Sequence, residues 1–174
     1  YEGFRVSYEN DLTNALTLNV AARRTQDDAK FNYNYRGLGR EFEMTTSTIT
    51  LKYAPNAKNI MTPNGKYTFE DNLPQFFVNY EQGYKTLGGD FDFSRFDALI
   101  VTNFKSTLGV TGVRLYGGMV IGDAPIWKNF TMNGLGKGGD GLNLNLASYL
   151  GFATMQGGKY FNDKVVGAYF THRI

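Results

Sequence analysis

The sequence predicts an all-β fold built from long antiparallel strands. Apolar and polar residues alternate with a period of two in several segments, and this is the period of a β-strand, since a helix repeats every 3.6 residues. Each segment holds about ten alternating residues, as membrane-crossing strands do, whereas soluble strands average about five or six. Aromatic residues make up 16% of the chain, which fits the girdles of a membrane barrel as well as a sandwich core. Together these features predict an antiparallel transmembrane β-barrel region of seven to eight strands spanning residues 1–174.

The three most regular segments lie between Leu73 and Ile121. The positions predicted to form one apolar face include Phe76, Val78, Tyr80 and Tyr84, then Phe96, Ala98, Ile100, Thr102 and Phe104, then Val113, Leu115, Met119 and Ile121. The opposite parity predicts five lumen-facing residues: Asn79, Glu81, Asn103, Lys105 and Arg114. A charge facing lipid at the bilayer midplane costs about 2–4 kcal/mol, so Arg114 is expected to face the lumen.

Weaker alternation predicts the remaining strands. Phe4, Val6 and Tyr8 indicate a first strand, and the run from Leu16 to Ala22 indicates a second that forms a hairpin with it. A third strand runs from Thr46 to Tyr53 and ends before Pro55, which cannot donate to a ladder. The last strand begins near Lys164.

The connections are predicted from polar, Gly and Pro residues. Residues 26–41 are expected to form a long loop, and Pro63-Asn64-Gly65 marks a turn. The break at residues 105–107 is expected to be a tight periplasmic turn, and residues 123–163 an extracellular connection with a glycine run at 134–141. Residues 142–155 fit either a strand or an ordered loop.

Composition argues against several functions. A net charge of +2 and no basic cluster interleaved with aromatics predict no nucleic-acid partner. Without cysteine the chain has no disulfide or thiolate metal site. The single histidine, His172, is a weak catalytic candidate because no Cys, HExxH or GxSxG motif accompanies it. Asp90 and Asp92 could share one strand face and hold a calcium ion, but such a pair fits a solvated strand end better. The sequence therefore predicts no enzyme, no cofactor and no metal.

Three stretches resemble a known family: residues 51–58 (LKYAPNAK), residues 74–84 with 87–92 (PQFFVNYEQGY and LGGDFD), and residues 161–166 (FNDKVV). They are similar to the barrel of Gram-negative outer-membrane proteins of unknown function that carry a carboxypeptidase-regulatory-like domain before a surface-antigen-type, BamA-like barrel. The resemblance implies an outer-membrane location and a barrel of about 16 strands. It implies a non-enzymatic role in outer-membrane assembly, export or an envelope complex.

The resemblance also bears on residues 123–163, because in BamA-like barrels an extracellular loop folds back toward the lumen. It implies that the candidate loop contacts are Asn145, Tyr149, Phe152, Tyr160 and Asp163. The family loop carries an Arg-Gly-aromatic motif, which residues 155–160 (MQGGKY) lack.

Other functions fit the same sequence. One alternative is a transporter or porin-like barrel, and another is a soluble β-sandwich that binds glycans through exposed Tyr and Trp127. For the membrane reading, an open sheet edge in lipid would leave backbone groups unpaired. The expected partners are therefore outer-membrane lipid and either remaining barrel strands or companion envelope proteins, with the barrel region incomplete at both ends.

Overall fold

The computed structural model describes residues 2–29, 37, 40–63, 65–70, 73–131 and 160–174. These residues form eleven β-strands and one short 3-10 helix, Ile126–Lys128. The strands are β1 Glu2–Asp11, β2 Leu16–Asp28, β3 Glu41–Tyr53, β4 Lys58–Thr62, β5 Gly65–Glu70, β6 Gln75–Gly83, β7 Asp92–Ser106, β8 Gly109–Asp123, β9 Phe130–Thr131, β10 Phe161–Asn162 and β11 Lys164–Arg173. The prediction of an all-β fold is confirmed.

Seven of the strands form one antiparallel sheet in the order β1-β2-β3-β6-β7-β8-β11. Each strand lies beside the next sheet strand along the chain, so the topology is a meander. The sheet is open, since among the described residues β1 pairs only with β2 and β11 only with β8. Two small antiparallel pairs, the hairpin β4–β5 and the pair of β9 with β10, lie outside it.

The two ends of the sheet differ in their connections. We define the lower end as the one that carries the turn at Thr107 and Leu108, between Ser106 and Gly109. The upper end carries the connections from β2 to β3, from β6 to β7 and from β8 to β11. A tight turn therefore occurs next to the predicted break at residues 105–107, and residues 124–163 connect strands at the opposite end. Which end faces the periplasm stays a prediction.

The ladder register separates the sheet into two faces of opposite character. Arg114 lies opposite Val101 and Tyr169, and Leu115 lies opposite Ile100 and Ala168. The face that contains Arg114 is the polar face, and its members include Asn19, Thr48, Thr50, Asn79, Glu81, Arg95, Asp97, Asn103 and Lys105. The face that contains Leu115 is the apolar face, and its members include Phe4, Val6, Tyr8, Val20, Ile49, Leu51, Val78, Phe96, Ile100, Met119 and Phe170.

Several local predictions need correction. Residues 26–28, predicted to begin a long loop, continue β2 instead, and Asp28 pairs with Glu41 at the start of β3. Their polar side chains do not prevent this, because the hydrogen bonds of the ladder join backbone groups. The connection from β3 to β6 contains the hairpin β4–β5 around the predicted turn. Asp90 precedes β7, so it shares no strand with Asp92. Tyr84, predicted to belong to the apolar face, lies beyond the end of β6. Residues 132–159 are outside the described residues, and they include the glycine run at 134–141 and the segment 142–155 that fits a strand or a loop.

The buried cluster lies on the polar face at the upper end of the sheet. It contains Phe42, Met44, Phe91, Phe93, Val120 and Phe130, with Ala29. Phe93 belongs to the polar face because it pairs with Gly122 in the register that places Arg95 opposite Val120. The chain therefore covers part of its polar face with its own residues. Among the described residues there is no helix of the length and apolarity that crossing a membrane would require.

Candidate functional site

The upper half of the polar face holds a connected set of charged and amide groups. Asn79 donates to Asp97 at 2.9 Å, and the Arg95 Nε lies 3.7 Å from an oxygen of the same carboxylate. Glu81 accepts a hydrogen bond from Lys128 at 2.5 Å, and each of these two side chains is 15% exposed. Asn79 and Glu81, both predicted to face the lumen, thus lie two residues apart on the same face of β6. Asn103 and Lys105 lie apart from them, exposed near the lower end.

The segment that follows β8 folds back onto this polar face. Its residues 124–131 include Trp127, Lys128 and Phe130, all of which contact the sheet or its upper loops. The Phe130 ring lies under the Arg95 guanidinium at 4.6 Å and meets the Tyr116 ring edge-on at 6.2 Å. The sequence allows this approach because position 118 is glycine, where a Cβ atom would come within 2.5 Å of the Phe130 ring.

Local sequence explains how the segment turns inward. Pro125 is fully buried and precedes the 3-10 turn, in which Lys128 donates its backbone N–H to the Pro125 carbonyl at 2.9 Å. β9 then pairs with β10, which places Asn162 opposite Phe130. The Asp163 carbonyl accepts the Val120 N–H at 2.7 Å. The two ends of the long connection are therefore tied to each other and to β8.

The hairpin β4–β5 folds across the lower end of the polar face. Lys66 reaches Asp11 at 2.5 Å and Thr17 at 3.0 Å, and its side chain is 12% exposed. Asn59 donates to the Asn14 carbonyl. Between the hairpin and β1 to β3 lies a polar cavity of about 380 Å³, which we call the hairpin cavity. The two ends of the polar face are thus each covered by a segment of the chain.

The remaining predicted residues divide into two groups. Tyr160 is half exposed, and Asp163 binds β8 through its backbone carbonyl, while Asn145, Tyr149 and Phe152 are outside the described residues.

His172 lies on the apolar face at its lower end, where its ring nitrogens contact the Thr111 hydroxyl at 2.9 Å and the Leu108 carbonyl at 3.2 Å. Asp90 binds the Glu43 backbone N–H at 2.7 Å. Within the described ranges, no group of three His, Cys, Asp or Glu is placed to hold a metal ion.

Sequence reasoning named Trp127 only as an exposed glycan contact of the β-sandwich alternative, and it missed Lys128, Phe130 and Lys66. The available signal was composition: the chain's single Trp lies two residues after Pro125 in the connection that follows β8, with Lys128 next to it and Phe130 three residues further on. Aromatic residues in a connection outside any alternating segment indicate a segment that buries them against something else.

A profile for one protein family matches residues 3–123, and its description reads "Family of unknown function (DUF5686) C-terminal domain". The chain belongs to this family. The matched part of the DUF5686 domain begins in β1 and ends at Asp123, the last residue of β8. Comparison with curated proteins gave no match, and neither did comparison with solved structures.

Proposed function

We propose that this DUF5686 domain forms part of the wall of an outer-membrane β-barrel in a Gram-negative bacterium. In this proposal the apolar face contacts lipid and the polar face lines the lumen. The barrel is of the BamA-like, surface-antigen type. It acts as a non-enzymatic component of outer-membrane assembly, export or an envelope complex.

The observation that carries the proposal is the exposure of the apolar face among the described residues. Ile49, Leu115 and Met119 lie on strands that are paired on both sides, yet each is 42–43% exposed. Soluble proteins rarely leave a contiguous apolar patch of more than a few hundred Å². Here the described connections cover the polar face instead, which is the arrangement expected where lipid solvates the outside and the chain fills the inside.

The dimensions of the apolar face also support a membrane span. On β7 the face runs from Phe96 to Phe104, and at a rise of about 3.4 Å per residue this distance is about 27 Å along the strand. At a tilt of about 40° it spans about 21 Å, close to the apolar band of about 25 Å on known barrels. Aromatic rings occur at several levels of this face. Phe4 lies nearest the upper end, Tyr8, Tyr80 and Phe96 share one row of the ladder, and Tyr53, Phe76 and Phe104 lie closer to the lower end.

The open edges fit the same proposal. An unpaired edge in hydrocarbon costs several kcal/mol for each unsatisfied backbone group. Lipid therefore requires a neighbouring strand beside β1 and another beside β11, supplied by the same polypeptide or by a companion protein.

Fractionation tests the location. The whole protein should remain in the outer-membrane fraction after an alkaline carbonate wash and should enter the detergent-rich phase on phase separation. A soluble β-sandwich would appear in the aqueous phase, and that result would overturn the proposal.

Depletion of the protein tests the role. We expect quantitative proteomics of the outer-membrane fraction to show reduced amounts of a set of other outer-membrane proteins. If their amounts are unchanged while the purified protein conducts ions in a planar bilayer, the transporter or porin-like function replaces the proposed one.

A further inference from the structure

A second cavity lies on the polar face at its upper end, between the ends of β2 and β3 and the segment that follows β8. Its volume is about 360 Å³, within the range of small-molecule sites. Ala29, Met44 and Trp127 supply apolar surface, and Arg23, Asp27 and Asp28 supply charged groups. We call it the Trp127 cavity.

The indole ring of Trp127 is held in place from within the protein. The Phe42 ring lies 5.6 Å from it and the Phe91 ring 5.9 Å, and both of these phenylalanines are almost completely buried. A ring fixed by packing loses little conformational entropy when a ligand stacks on it. Trp127 therefore offers a preorganised flat apolar platform at the cavity wall.

The charges around the platform select for a neutral ligand. Lys128 also lines the cavity, but its ammonium group is paired with Glu81 at 2.5 Å. Among the described residues that line the cavity, Arg23 is accompanied by two carboxylates, those of Asp27 and Asp28. A phosphate or sulfate would meet these carboxylates at close range and be repelled, while a wholly apolar ligand would desolvate charged groups without giving them hydrogen bonds.

We propose that the Trp127 cavity binds a neutral saccharide. One sugar ring would stack its C–H face on Trp127. Its hydroxyl groups would donate hydrogen bonds to the Asp27 carboxylate and accept them from the planar Arg23 guanidinium. The Thr25 hydroxyl, 3.3 Å from Asp27 Oδ2, orients that carboxylate. The inference does not depend on a membrane location, because the described residues form the cavity in either case.

Titration calorimetry with the whole protein tests the proposal. The probes are maltoheptaose and chitotetraose, and the solubilising detergent must lack a sugar head group so that it does not compete. We expect saturable binding of at least one of the two, about tenfold weaker in Asp27→Asn and in Trp127→Phe. Trp127→Phe keeps an aromatic ring against Phe42 and Phe91 while reducing the platform. Glu9→Gln, an acid-to-amide change on the same face at the lower end, should bind as the wild type does.

Fluorescence gives a second readout, since Trp127 is the only tryptophan in this chain. Its emission should shift with the same saturation curve, and Arg23→Gln should weaken that curve. Absence of saturable binding of both saccharides overturns the proposal. Equal affinity in the wild type, Asp27→Asn and Arg23→Gln overturns it too, as does tighter binding of hexagalacturonate than of the neutral probes.

Discussion

Two adjacent glycines on β8 meet very different surroundings. A Cβ atom on Gly118 would lie 2.5 Å from the Phe130 ring, whereas on Gly117 its nearest neighbour would be the Val165 carbonyl oxygen at 3.8 Å. The two residues point to opposite faces of one strand, so they share backbone environment and differ in what covers them. They form a matched pair for testing whether the segment after β8 lies against the polar face.

We predict that Gly118→Ala displaces the Phe130 ring and that Gly117→Ala does not. Overpacking at position 118 should cost about 1–3 kcal/mol, and limited proteolysis should cut within residues 124–131 faster. Equal cleavage rates in the two variants would contradict the observed packing of Phe130.

The ion pair between Glu81 and Lys128 is expected to contribute to the free energy of unfolding. Both side chains are 15% exposed, while the Arg24–Glu43 pair at the upper rim is 48% and 50% exposed. Glu81→Gln leaves a partly buried ammonium group without its counter-charge and should lower the free energy of unfolding by about 1–3 kcal/mol. Glu43→Gln should lower it by less than about 1 kcal/mol. Urea unfolding of the two variants measures the difference, and a smaller loss for Glu81→Gln would refute the assignment.

For single residues, the sequence correctly predicted the features that depend only on neighbouring positions in the chain. Alternation placed Arg114 and Leu115 on opposite faces because neighbouring residues of any strand point in opposite directions. It could not find the contact between Glu81 and Lys128, since these residues are 47 positions apart and no periodicity connects them.

At the scale of single elements, the hairpin β4–β5 is the longest element that the sequence analysis did not predict. Only its turn carried a signal, through Pro63 and Gly65. Its strands have 5 and 6 residues, too short for a convincing alternation. The upper part of β2 was missed for a related reason, because its polar sequence resembles a loop while its backbone pairs with β3.

Lys66 is expected to hold the hairpin against the sheet. Lys66→Met keeps the side-chain length but removes the charge that contacts Asp11 at 2.5 Å. Hydrogen exchange across residues 58–70 should then become about tenfold faster, because local opening costs less free energy. Tyr67→Ser is the control, since Tyr67 is 65% exposed and lies on the other side of the hairpin strand. Unchanged exchange in Lys66→Met would show that other contacts hold the hairpin.

For the whole molecule, the proposed membrane location comes with a predicted orientation, in which the end that carries the longest connection, residues 124–163, faces outward. Leu87 lies in an upper connection and Leu108 in the lower turn, and they are 57% and 76% exposed. We predict that a membrane-impermeant maleimide added to intact cells labels Leu87→Cys and leaves Leu108→Cys unlabelled. Permeabilised cells should label both and serve as the control. The reverse pattern would invert the proposed topology.

The order of the sheet could be predicted at this scale, because a meander places consecutive strands side by side. Whether a further strand pairs with β1 or with β11 could not be predicted, since nothing in either edge strand identifies such a neighbour. The resemblance implied that residues 123–163 fold back toward the lumen. The side chains that contact the polar face could not be predicted, because these contacts join segments far apart in the sequence.

A cysteine scan along β7 tests the proposal that one face of the sheet contacts lipid. The chain has no native cysteine, so single substitutions at Ala98, Leu99, Ile100, Val101 and Thr102 can each carry an environment-sensitive fluorophore without background in this chain. In vesicles whose lipids bear nitroxide quenchers, we predict quenching at Ala98, Ile100 and Thr102, with Leu99 and Val101 unaffected. Equal quenching at all five positions, or none at any of them, would contradict the account.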